Sequence, residues 1–85
     1  MAYAIQILPA AQRQLARLDK PIQAALVSAI DGLAQNPRPP GVKKLKGKDG
    51  IWRHRAGDYR ILYQIFDRRM VVLVVSVGHR GDIYR

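Results

Sequence analysis

Residues 51–77 read IWRHRAGDYRILYQIFDRRMVVLVVSV, and three extended runs inside them decide the fold. Residues 51–56, 59–66 and 70–77 are rich in β-branched and aromatic side chains, with Gly57-Asp58 in the first gap and Asp67-Arg68-Arg69 in the second. Short gaps of turn residues between such runs make two consecutive hairpins, so this segment is expected to form a three-strand antiparallel meander. Strand side chains alternate between faces. In the middle run Tyr59, Ile61, Tyr63 and Ile65 therefore form a row suited to a core, and Arg60, Leu62, Gln64 and Phe66 form the other. In the first run Trp52 and His54 share a side, which leaves Arg53 and Arg55 on the opposite one. A tryptophan turned inward supplies much of the buried area, whereas an arginine pair at i and i+2 must meet solvent or a ligand.

Upstream, residues 2–8 alternate Tyr3, Ile5 and Ile7 with small or polar side chains, the pattern of a half-buried strand. Pro9 ends it and suits the first turn of a helix. Residues 10–18 place Ala11, Leu15 and Leu18 on one helical stripe, with Arg13 and Arg17 turned outward. Asp19 is then positioned to cap a second helix that has Pro21 in its first turn. In that helix Ile22, Ala25, Leu26, Ala29, Ile30 and Leu33 recur at helical spacing until Asn36-Pro37 stops it. Residues 37–50, PRPPGVKKLKGKDG, read as a loop. Residues 1–85 are thus expected to form a single α+β domain: an N-terminal strand, two helices forming a hairpin, then the meander, with the helices packed on one face of the sheet.

Composition narrows the chemistry. Eighty-five residues fit one domain with a modest core and exclude a multidomain enzyme. An apolar content of 48% with 25% charged residues belongs to a folded chain rather than a disordered basic tail. Cysteine is absent, which excludes disulfides, a thiol nucleophile and Cys-ligated metal centres. The two histidines, His54 and His79, stand far apart, so no metal site and no cofactor are expected. The longest apolar run, residues 70–75, is far too short to cross a bilayer, and the expected location is the cytoplasm, with no membrane partner. Fifteen Lys and Arg stand against six acids, all of them Asp, for a formal charge of +9. Eleven of the fifteen bases lie in residues 43–85, which makes that half the polyanion-facing one and nucleic acid the favoured partner.

The face opposite the helices is expected to gather Arg53, Arg55, Arg60 and Arg80, with Tyr84 beside them, because glycines at 78 and 81 would allow the tail to fold over the sheet. Four permanently charged forks in one concavity repel one another unless an anion sits among them. Such a cluster suits a phosphodiester, and it suits the phosphorane formed when a ribose 2′-OH attacks its own phosphate. Lys43, Lys44, Lys46 and Lys48 serve either as RNA-phosphate contacts or as a solvated linker. His79, next to Arg80, either contacts RNA or ties the tail back to the sheet.

The strings Leu45-Lys46-Gly47, Trp52-Arg53-His54-Arg55, Gly57-Asp58-Tyr59-Arg60-Ile61-Leu62-Tyr63-Gln64-Ile65 and Ser76-Val77-Gly78-His79-Arg80-Gly81-Asp82-Ile83-Tyr84 resemble the RelE branch of the RelE/ParE toxin superfamily. The resemblance implies a RelE-like, microbial-RNase-like fold and the toxin of a type II toxin–antitoxin pair. It further implies a metal-independent, ribosome-dependent endoribonuclease that cuts mRNA in the A site. The implied partners are a RelB-like antitoxin, the ribosome and its mRNA, and 16S rRNA against the basic surface. Carried over by position, Arg53 and Arg55 stand where RelE has a basic lysine pair, and Arg60 matches the arginine of the Y-R-[IL] block. Arg80 follows V-G-[HK], and Tyr84 is the C-terminal tyrosine. Arginine at both lysine positions keeps the charge but offers no proton acceptor, and the glutamate some relatives use as a base has no counterpart here. His54, His79 and Tyr84 remain as candidate bases. A gyrase-inhibiting ParE-like protein and a non-catalytic RNA- or partner-binding module are the alternative readings.

Overall fold

Each apolar period in the sequence becomes an element. The computed structural model describes residues 2–47 and 50–79. The period-2 segments form β1 (Ala4–Ile7), β3 (Trp52–Ala56), β4 (Tyr59–Phe66) and β5 (Val71–His79), and the helical stripes form α1 (Pro9–Ala16) and α2 (Lys20–Gln35). Two residues inside the expected loop, Lys43–Lys44, add an edge strand, β2. The result is a five-stranded sheet in the order β1-β5-β4-β3-β2. The meander is antiparallel as its turns require, but β1 pairs in parallel with β5, Ala4 opposite Val71 and Ile7 opposite Val74. Nothing in the period of β1 specifies that partner: the α1–α2 crossover returns the chain across one face and leaves β1 beside the last strand.

The helices sit on one face, with α2 lying over β1, β3, β4 and β5 and α1 packed against β5 and α2. The core joins Ala11, Leu15, Leu26, Ile30 and Leu33 of the helices to Ile61, Tyr63, Val72, Val74 and Val77 of the strands. Trp52 packs against it from β3, as its alternation predicts. Tyr63, fully buried, donates its hydroxyl to the Pro37 carbonyl at 2.7 Å. Burial pushes its pKa up to about 12 and keeps it a neutral donor.

Helix ends use different devices from the one expected. Asp19 occupies the N-cap of α2, with Pro21 in the first turn, but its side chain makes no capping bond. Gln23 of α2 instead donates to the Leu15 carbonyl at 3.1 Å, an oxygen that also accepts from the Leu18 amide at the end of α1, and so pins the helical hairpin.

Two local irregularities position the open face. Gly57, at φ +61°, makes the two-residue turn between β3 and β4. On β5, Leu62 pairs with Ser76 but Tyr63 pairs with Val74, so Val75 is an extra residue forming a β-bulge. Strict alternation from Val72 and Val74 would bury Ser76. The bulge resets the phase, so that Val77 is buried and Ser76 is not. Beyond the end of β1 the Gln14 side chain takes over the exposed edge of β5. Its Oε1 accepts from the Val77 amide at 2.7 Å and from the Ser76 hydroxyl at 3.2 Å. The last strand runs on to His79, two residues past the expected end, so His79 belongs to the sheet rather than to the tail.

Candidate functional site

The cross-strand register fixes what stands on the face away from the helices. Lys43, Arg53 and Leu62 are aligned in one row across β2, β3 and β4. Arg55, Arg60 and Gly78 are aligned in the next row across β3, β4 and β5. Their chain neighbours His54, Ile61 and Val77 form the matching row on the helix side, where Ile61 and Val77 are buried. Three of the expected arginines are therefore brought together, with Arg55 directly opposite Arg60. Like charges in that position, with Cβ atoms about 5 Å apart, weaken strand pairing by roughly 0.2–1 kcal/mol, a cost that an anion bound between them offsets. The residue of β5 opposite Arg60 is Gly78, which contributes no side chain of its own to that face.

The Arg53 Nε is buried and has no hydrogen-bond partner among the described residues. Leu62, between the two arginine rows, is only 6% exposed although it lies outside the cluster under the helices.

Other expected site residues are placed elsewhere. His54 is half-buried on the helix side, and burial holds its pKa below the ordinary imidazole value. His79 also falls on the helix side, its ring edge-on to Tyr59 with centroids 5.3 Å apart. Neither imidazole shares a face with Arg53, Arg55 and Arg60. The lysines divide: Lys43 stands with the arginines, Lys44 has its Nζ 6.0 Å from the Trp52 ring on the opposite face, and Lys46 is exposed in the turn after β2. Arg80, Tyr84 and Lys48 lie outside the described residues. Among the described residues no group of three or more His or Asp gathers where a metal ion would sit.

Sequence reading missed one polar cluster. Arg38 forms a two-pronged pair with Asp67, at 3.2 and 2.9 Å, and lies 5.2 Å from the centre of the Trp52 ring. The Tyr3 hydroxyl donates to the same carboxylate at 2.7 Å, and the two donors hold Asp67 below the usual carboxylate range. The cluster ties the segment after α2 to β1 and to the end of β4, upstream of the point where Lys43 joins the sheet. The only sequence signal was an Arg at the start of a Pro-rich loop, which carries no pairing information.

Comparison with known proteins places the whole chain in one family. The family model for the ParE toxin of type II toxin–antitoxin systems matches residues 5–84. Toxin RelG of Mycobacterium tuberculosis is 36% identical over 86 aligned positions, covering 100% of this chain and 99% of RelG. The mRNA interferase toxin RelE of Escherichia coli K12 is 29% identical over 88 positions, covering 99% and 92% of the two chains. Among solved structures, a RelBE toxin–antitoxin complex of M. tuberculosis superposes with a TM-score of 0.83 at 33% identity, over 96% of this chain and 95% of that one. The protein belongs to the ParE toxin family of type II toxin–antitoxin systems and is a RelE-like member of it.

Proposed function

We propose that this protein is an mRNA interferase that cuts mRNA in the ribosomal A site, with Arg53, Arg55 and Arg60 on the open face holding the scissile phosphate. The observation that carries the reading is the cross-strand Arg55–Arg60 pair with Arg53 in the adjacent row, a concentration of fixed positive charge on a face that the helices leave uncovered. Guanidinium forks match phosphate oxygens and stabilise the extra charge of a phosphorane more than that of the ground-state diester. The reaction is attack of the ribose 2′-oxygen on its adjacent phosphorus. The 2′ proton passes to a base, the 5′-oxygen leaves and takes a proton, and the products are a 2′,3′-cyclic phosphate and a free 5′-hydroxyl. No metal is needed for this balance. Arg80 is proposed to join the phosphate-binding set. Tyr84 is proposed as the proton-transfer or base-stacking group, since His54 and His79 lie on the helix side of the sheet.

The partner that restrains this activity is proposed to be a RelB-like antitoxin with an acidic or amphipathic segment that folds on binding; a relative of this chain has been solved as a RelBE toxin–antitoxin complex. No helix among the described residues is long and apolar enough to cross a membrane, and the proposed site of action is the cytoplasmic ribosome, approached through 16S rRNA by the basic surface. Mapping mRNA 5′ ends after a brief pulse of expression tests the proposal. Cuts in register with the reading frame are expected from the wild type, and none from Arg60→Ala. The ParE name of the matched family favours one second reading, inhibition of gyrase. Loss of supercoiling activity with intact mRNA would establish it instead.

A further inference from the structure

The row that carries Arg60 and Leu62 continues through Gln64 to Phe66 on the same face of β4. Phe66 is 40% exposed, one of three large apolar side chains so placed among the described residues. It is absent from the helix-side cluster, and its cross-strand neighbour is Val71. The next three residues form a 3₁₀ turn, Asp67–Arg69, closed by Met70 in the left-handed region at φ +54°. Phe66, Asp67, Arg68 and Arg69 line a shallow concavity of about 330 Å³. The acid of this turn is already occupied, since Asp67 is held by Arg38 and Tyr3. Arg68 and Arg69 are exposed, and neither guanidinium makes an ion pair among the described residues. The concavity therefore presents one aromatic ring, two cations and no free anion.

We propose that Phe66, Arg68 and Arg69 form a second single-strand RNA subsite, in which Phe66 stacks a base and the two arginines hold flanking phosphates. The inference rests on the reading of this sheet face as the RNA face and extends it to a point six residues along β4 from Arg60, about 20 Å at strand rise. An aromatic platform beside basic side chains is the chemistry that holds unpaired nucleotides without reading their sequence. A duplex does not fit, because its bases are already stacked on one another. An acidic peptide would use the two arginines but has no need of an exposed ring in the same row as the arginine site.

The test is binding of a labelled single-stranded RNA of about ten nucleotides, followed by fluorescence anisotropy across a salt series. The proteins are the wild type, Phe66→Ala, Phe66→Leu, Phe66→Trp and the double variant R68Q/R69Q, each checked for folding by circular dichroism. Phe66→Ala and Phe66→Leu are expected to weaken binding about ten-fold, as loss of one stacked base requires, while Phe66→Trp binds as the wild type does. R68Q/R69Q is expected to make the log–log salt slope shallower by about 1.4, two phosphate contacts at about 0.7 each. Wild-type affinity in Phe66→Leu, or an unchanged slope in R68Q/R69Q, overturns the proposal. So does loss of antitoxin capture with unchanged RNA affinity, which would make the concavity a peptide site. If the wild type fails to cut ribosome-bound mRNA while the Phe66 series behaves as stated, the interferase reading falls and the subsite stands. If cutting occurs and Phe66→Leu still binds like the wild type, the subsite alone falls.

Discussion

The two faces of the sheet are built from alternate residues of the same strands, yet they obey opposite rules. On the helix side Tyr63, Ile61 and Val77 are removed from water and their positions are set by packing against α2. On the other side Arg55 stands opposite Arg60, with Arg53 in the adjacent row, on the face turned away from the helices. Packing selects for volume and tolerates no charge. The open face keeps Arg55 and Arg60 directly opposite each other, an arrangement that by itself weakens strand pairing. Stability is thus concentrated in one set of side chains and chemistry in the set between them.

Adjacent residues of β4 give the sharpest way to break that separation. Arg60→Ala is expected to lower the rate of mRNA cleavage on programmed ribosomes by about 10²–10³-fold, the usual cost of one preorganised charge-stabilising donor. Its unfolding free energy should change by no more than about 1 kcal/mol. Ile61→Ala, one position further and fully buried, should do the reverse. It is expected to lose about 2–5 kcal/mol of stability, with the cleavage rate of the remaining folded protein close to wild type. Denaturant titration beside single-turnover cleavage reads both quantities. A stability loss in Arg60→Ala as large as that in Ile61→Ala would merge the two roles.

A smaller effect is expected where the two faces exchange phase. The Val75 bulge puts Val77 in the core, and Gln14 pairs the Val77 amide beyond the end of β1. Gln14→Leu should cost about 1–3 kcal/mol, because a partly buried amide is left without an acceptor. Hydrogen exchange at the Val77 amide should accelerate, while that of Tyr63, in the middle of β4, follows the global stability. Equal protection of Val77 in both proteins would show that Gln14 is not what closes this edge.

The same bulge marks the limit of what the chain reveals before folding. The meander, both helices and the division of Trp52 and Tyr63 from Arg53 and Arg60 were legible, because each follows from a local period. Ser76-Val77 was not: a period-2 reading carries on through an inserted residue and cannot register one. The parallel partner of β1 and the two-residue strand at Lys43–Lys44 were hidden for a related reason, since both exist only through a distant neighbour. On the candidate site, the Arg53/Arg55/Arg60 set needed nothing but strand alternation. The helix-side placement of His79 depended on how far β5 runs and on the phase that the bulge imposes.

His54 sharpens the comparison through pH. It is half-buried on the core side, with its pKa held below the ordinary value by burial. The unfolded chain therefore takes up its proton first, near pH 6.5. The stability linked to His54 is full above that value and declines as pH falls from there towards the lower folded-state pKa. His54→Gln should flatten the decline in that window while leaving the pH profile of mRNA cleavage unchanged. A shifted cleavage profile would bring His54 back as the base and join the two faces chemically.

The smallest effect belongs to Asp67, where the two faces meet at the end of β4. Arg38 and Tyr3 both donate to its carboxylate, which lowers its pKa. A lowered carboxylate pKa contributes stability that is present above the unfolded value, about 3.9, and is lost as pH falls through the folded one. Both partners of the ion pair are about half exposed, with side-chain exposures of 44% and 54%, so solvent and salt screen most of the attraction. Asp67→Asn should therefore lower the thermal midpoint slightly at pH 7, and the difference from wild type should shrink below pH 4. The same substitution also frees Arg38 beside Trp52 and loosens the segment that leads to Lys43. A midpoint difference that persists unchanged at pH 3 would mean that the hydrogen-bond geometry, rather than the charge of Asp67, holds this corner.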